Sequence, residues 1–123
     1  MMLIDTYVAP STIPGAGYGL FTRQFISART LIWRFVPGLD LVLDDLPAEP
    51  LFRRFLMKYA YRELTTRKWV LCIDDARFMN HSSDHANTGE TPEGNTAALV
   101  DIAPDTELTC DYREFAENPF AGW

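Results

Sequence analysis

Short runs of β-forming residues, each soon cut off by Gly, Pro or Asp, recur along this chain, and a single segment repeats its apolar residues at helical spacing. Residues 3–8, 30–36, 39–43, 69–73, 96–102 and 107–112 read as strands, with turns such as Pro37-Gly38 and Ala103-Pro104-Asp105 between them. The helix is expected over residues 47–62. Leu51, Phe52, Phe55, Leu56 and Tyr59 form its apolar stripe, Pro47 and Pro50 suit its first turn, and Arg53, Arg54 and Lys58 fall off the stripe. That stripe is expected to pack into the core. Many short strands around one main helix, with no internal repeat and no linker, predict a mainly β fold in one domain over residues 1–123.

The 123 residues are 47% hydrophobic and 13% aromatic, enough for a proper core. No apolar run approaches the ~20 residues that span a bilayer, and Met1-Met2-Leu3-Ile4-Asp5 lacks the basic flank and apolar stretch of a signal peptide. A soluble, intracellular and most simply cytoplasmic protein without membrane contact is the expectation. Cys72 and Cys110 both fall in apolar, strand-like runs and are expected to be buried free thiols. The chain has no C-x₂-C pair, so no metal site is expected. A net charge of −6 argues against direct nucleic-acid binding through a basic surface. It favours a basic partner such as a Lys/Arg-rich peptide.

Two segments do not serve strand or helix. Glycines at 15, 17 and 19 remove Cβ atoms and let a ligand approach the backbone, although the spacing is not the G-x-G-x-x-G of a dinucleotide site. The second is Arg77-Phe-Met-Asn-His-Ser-Ser83, which follows the run 69–73 and two acids, Asp74 and Asp75. Asn, His and Ser bond readily to nearby backbone, so an ordinary polar turn remains open here. A metal cluster of His81, Asp84 and His85 is disfavoured, since three such residues close together on a loop more often group by chance. Ser82 or Ser83 with His81 as a nucleophile is disfavoured because sequence neighbours rarely meet in the needed geometry and no G-x-S-x-G elbow is present.

Taken together, Gly15-Ala-Gly-Tyr-Gly-Leu-Phe21, Arg77-Phe-Met-Asn-His-Ser-Ser83 and Glu107-Leu-Thr-Cys-Asp-Tyr112 resemble, in order and spacing, the SET-domain family of protein lysine methyltransferases. The resemblance implies several small sheets, with the Asn-His and Asp-Tyr segments threaded together in a knot-like arrangement. It implies S-adenosylmethionine as methyl donor and a lysine side chain of a protein or basic peptide as acceptor. Ala16, Gly17, Tyr18, Gly19, Phe78, Asn80, His81 and Tyr112 would then border the methyl donor. Asn80 would hold its amino-acid end, its carboxamide serving as both donor and acceptor, and His81 backbone groups would meet its adenine. Tyr112 would be the catalytic tyrosine.

The sequence departs from the family at several points. Ser83 stands where many relatives carry a zinc-binding Cys, and the tail 114–123 has no Cys, which agrees with the absence of zinc. That tail carries Phe115, Phe120 and Trp123 and is expected either to pack over the site or simply to dock on the core. Asp84-His-Ala-Asn87 is one residue longer than the usual Cys-x-Pro-Asn, and Pro104-Asp105 replaces a Gly-containing turn. Cys110 stands where relatives often have the Phe or Tyr that limits the number of methyl groups added, so a roomier channel is expected. A homodimer is left open, as are a SET-fold binding module without turnover and a methyltransferase for a small-molecule amine.

Overall fold

In the computed structural model, described here for residues 1–117, the backbone forms three small sheets and one α-helix. The first sheet contains β1 (Thr6–Pro10) and β2 (Tyr18–Thr22). The second and third begin with β3 (Leu31–Trp33) and β4 (Leu41–Leu43). After α1 (Pro50–Tyr59) follow β5 (Tyr61–Arg62), β6 (Trp69–Leu71) and β7 (Asn80–His81). The last strands are β8 (Thr88–Glu90), β9 (Thr96–Ala98) and β10 (Glu107–Cys110). The sheet orders are β1-β2-β10-β7, β3-β9-β8 and β4-β6-β5. This is the β-rich, one-helix architecture expected from the sequence.

β10 holds the first sheet together. It pairs antiparallel with β2 and parallel with β7, where Thr109 faces Asn80 and Cys110 faces His81. Every residue of β10 is buried. Because side chains alternate across a strand, Leu108 and Cys110 enter the core with Leu20, Ile26 and Ile32, while Glu107 and Thr109 point to the other face. Asn87 lies alongside that strand: its Nδ2 donates to Glu107 O at 2.8 Å, and its Oδ1 accepts from Thr109 N at 2.9 Å.

Several expectations change. α1 is shorter than residues 47–62, and it starts at Pro50 because Glu49 caps it, accepting from Leu51 N and Phe52 N. Its stripe does not enter the core as expected. Leu56 is fully buried, but Leu51, Phe52 and Phe55 are 65%, 44% and 41% exposed. Two stretches read as loops contain strands, β2 within the glycine segment and β8 within 84–94. Thr88-Gly89-Glu90 has no β pattern of its own, and its pairing with β9 makes it a strand. Arg77–Ser83 is not a simple turn either, since a 3₁₀ helix (Asp75–Phe78) precedes β7. Asp74 caps that helix through Ala76 N, and its Oδ2 accepts from Met2 N at 2.7 Å. Cys72 and Cys110 are free and buried, as expected, and burial pushes the Cys72 thiol up to about 12.

Candidate active site

The parallel pairing of β7 with β10 joins two of the three sequence motifs, and the β2–β10 pairing adds the third. Gly15 and Gly17 have φ of 77° and 76°, the left-handed region where a Cβ is strained, and an added Cβ would meet nothing within 4 Å. Open backbone lies there. Tyr18, next in line, is 61% exposed. Ser11 N donates to Gly17 O and Ala16 N to Ile13 O, which closes the loop on itself.

Asn80 lies beside this loop. Its Nδ2 donates to Tyr18 O at 2.9 Å, to Glu107 Oε2 at 3.0 Å and, at longer range, to Ser11 Oγ at 3.3 Å. From the sequence, the carboxamide is expected to serve a ligand as both donor and acceptor. Its N–H groups are instead engaged within the protein, and no residue described donates to Oδ1. Glu107 carries no signal of such a role in the sequence alone. It is 6% exposed and accepts from Asn80, Ser11 and Thr12. Burial alone would raise its carboxyl, but those hydrogen bonds outweigh it and the net shift is downward.

His81 acts here through its side chain. Nδ1 accepts the Tyr112 backbone N–H at 3.0 Å, which places the ring N–H on Nε2, 2.7 Å from Ser83 Oγ. Ser83 and His81 therefore do meet, against expectation, but the ring donates to the hydroxyl and is no base for it. The ring also packs against Tyr112, with centroids 5.2 Å apart. Asp84 and His85 are exposed on the following loop.

Tyr112 opens a 3₁₀ helix (Tyr112–Glu114) capped by Asp111, whose Oδ1 accepts from Arg113 N. The Arg113 side chain beside it holds the Asp111 carboxyl down at about 2. The Tyr112 hydroxyl donates to Met79 O at 2.6 Å, and burial raises its pKa well above the usual phenol range. It stays a neutral phenol.

Tyr112 and Cys110 line one cavity of about 360 Å³, together with Tyr61, Trp69, Met79 and Phe115. Phe115 meets Tyr61 edge-on at 4.8 Å and Tyr112 at 5.9 Å, so the first aromatic of the tail is part of this wall. Phe120 and Trp123 lie outside the described residues. Phe78 packs at 5.7 Å against Tyr59 of α1, under the Arg77 guanidinium. The wall also carries Arg53, Lys58, Arg62 and Arg77 against Glu90 and Glu117, so the acidity of the whole chain does not extend to it. No helix among the described residues is long and apolar enough to cross a membrane.

Comparison with solved structures finds the same fold elsewhere. Polycomb Repressive Complex 2 of Chaetomium thermophilum, in an autoinhibited conformation bound to S-adenosylmethionine, aligns with a TM-score of 0.65 at 20% identity, over 94% of this chain and 16% of that one. The same complex bound to the inhibitor GSK126 aligns with a TM-score of 0.68 at 21% identity, over 94% and 17%. A candidate histone methyltransferase of Plasmodium falciparum aligns with a TM-score of 0.60 at 19% identity, over 90% and 95%. The chain thus spans about one sixth of the Polycomb chains and nearly all of the Plasmodium one. No curated protein sequence matches it. The family model described as SET domain matches residues 17–113, a span that includes Gly17, Asn80, His81, Cys110 and Tyr112. On that match, and with a fold shared across these structures, the chain belongs to the SET-domain family.

Proposed function

We propose that this SET domain transfers a methyl group from S-adenosylmethionine to the side-chain amine of a lysine in a protein or peptide. The observation that carries the reading is the β7–β10 pairing, which fastens the Asn80 carboxamide and the Tyr112 hydroxyl to one pair of strands. The residues fit such a methyl donor. Gly15 and Gly17 leave open backbone, and the Asn80 Oδ1 is an acceptor with no hydrogen bond among the described residues.

When bound, S-adenosylmethionine supplies a methyl group activated by a sulfonium. The chain's own task is then positioning. Gly17 and Tyr18 backbone would border the methyl donor, the Asn80 Oδ1 would accept from its ammonium, and His81 would hold Tyr112 through the Nδ1 contact. A phenol that donates its hydrogen bond to Met79 O presents its oxygen to a reacting centre as a fixed dipole. Its raised pKa excludes a phenolate base near neutral pH. The acceptor amine has to be neutral, although free lysine has a pKa of about 10.4, and loss of water within the cavity would disfavour the ammonium. The net charge of −6 supports a basic protein or peptide as partner, and the cations on the cavity wall support acidic residues near the target lysine.

Calorimetric titration with S-adenosylmethionine, followed by labelled methyl transfer to a panel of lysine peptides, tests the reading. Tyr112→Phe should lower turnover by about 10²–10³-fold while methyl-donor affinity changes little; unchanged turnover would remove Tyr112 from the chemistry. With Cys110 in the wall in place of a ring, more than one methyl group per lysine is expected. Mass spectrometry that finds only monomethyl product at exhaustion would contradict this.

A further inference from the structure

The orientation of the Asn80 carboxamide is set by Glu107. Tyr18 O and the Glu107 carboxylate can only accept hydrogen bonds, so Nδ2 must face them and Oδ1 must face away. Glu107 is itself held. Its Oε1 accepts from Thr12 N at 2.8 Å and Thr12 Oγ1 at 2.7 Å, and its Oε2 accepts from Ser11 Oγ at 2.8 Å. Gly19 makes room for this arrangement, because a Cβ there would stand 2.3 Å from Glu107 Oε2. One carboxylate therefore ties the 11–17 loop and β7 to β10 at the point where Oδ1 is left outward.

We propose that Glu107 is a positioning residue for the methyl donor's amino-acid end, holding Asn80 so that it offers an acceptor to an ammonium and no N–H to a carboxylate. The proposal rests on the S-adenosylmethionine reading above.

Glu107→Gln separates this role from simple support of the loop. The Thr12 backbone N–H requires an acceptor, so the oxygen of the new amide stays at the Oε1 position. Its NH₂ then takes the Oε2 position and opposes Asn80 Nδ2, donor against donor. Asn80 either turns over and sets its oxygen against Tyr18 O, or moves away. Both outcomes spoil the outward acceptor while leaving the shape of the site nearly unchanged.

The experiment is calorimetry of wild-type and Glu107→Gln protein with S-adenosylmethionine and with 5′-methylthioadenosine, which lacks the amino-acid end. The variant should lose about tenfold in affinity for S-adenosylmethionine, the size expected for one hydrogen bond to a charged group, and keep its affinity for methylthioadenosine. Equal losses for both ligands, or no loss for either, would overturn the proposal while leaving the methyl-donor reading intact. Wild-type protein that binds neither ligand would overturn that reading and the proposal with it. A measurement on wild-type protein alone guards against a variant that does not fold. An S-adenosylmethionine analogue lacking the α-amino group should bind more weakly than one lacking the carboxylate, and the reverse order would overturn the proposal.

Discussion

At Gly19 the tolerance for a side chain is decided by a neighbour that cannot move aside. The Glu107 carboxylate, whose Oε2 and Cδ would lie 2.3 and 2.8 Å from an added Cβ, is fixed by Ser11, Thr12 and Asn80. Gly19→Ala is therefore expected to cost about 1–3 kcal/mol of stability and to weaken S-adenosylmethionine binding, read by thermal unfolding and calorimetry. Gly89 is the matched control. A Cβ there meets Leu99 Cδ2 at 2.9 Å, but that atom is the tip of a side chain 57% exposed and free to turn. Gly89→Ala should stay within about 0.5 kcal/mol of wild type. Equal losses at the two glycines would mean that the carboxylate is no special obstacle.

At the scale of elements, α1 separates periodicity from burial. Its 3.6-residue pattern is real and the helix forms, yet the stripe divides between a buried Leu56 and exposed Leu51, Phe52 and Phe55. Leu56→Ala should cost about 2–5 kcal/mol, whereas Leu51→Ala should change stability by less than about 0.5 kcal/mol; denaturant unfolding of both variants checks the contrast. A sequence carries the spacing of apolar residues, but which part of a stripe meets a partner depends on the elements around it. The same limit explains β8, whose residues become a strand only beside β9. The candidate site stands out in the sequence at Asn80-His81, a grouping that suits neither helix nor strand, whereas Tyr112 reads by itself as an ordinary strand residue and is marked only by the family resemblance. Glu107 was hidden because one acid at the start of an apolar run reads as a strand edge. The signal lay in the alternation of Glu107 and Thr109 with Leu108 and Cys110, which marks a strand buried on both faces with polar partners waiting on one.

For the whole molecule, the depressed carboxyls predict how stability responds to acid. Hydrogen bonds hold Glu107 below its usual value, and Arg113 holds Asp111 down at about 2. A carboxyl with a folded pKa below its unfolded one, about 3.9–4.3, contributes its full stabilisation above the unfolded value. That contribution is lost as pH falls through the folded value, because the unfolded chain then binds protons more readily. The protein should therefore lose stability from about pH 4 downward. Glu107→Gln, which has nothing to protonate there, should show a shallower acid limb in Tm against pH. A limb identical to that of wild type would mean that Glu107 is not the group responsible.

The course of β10 between β2 and β7 has one more consequence. Asn80 and Thr109 are paired although a long stretch of chain separates them, and contacts of that kind are slow to form because loop closure must precede them. The strand that completes the sheet also delivers Tyr112 to Met79 and Glu107 to Asn80. Folding and assembly of the candidate site are thus coupled, and a chain halted before β10 docks would have neither a finished core nor the pairing that brings Asn80 and Tyr112 together.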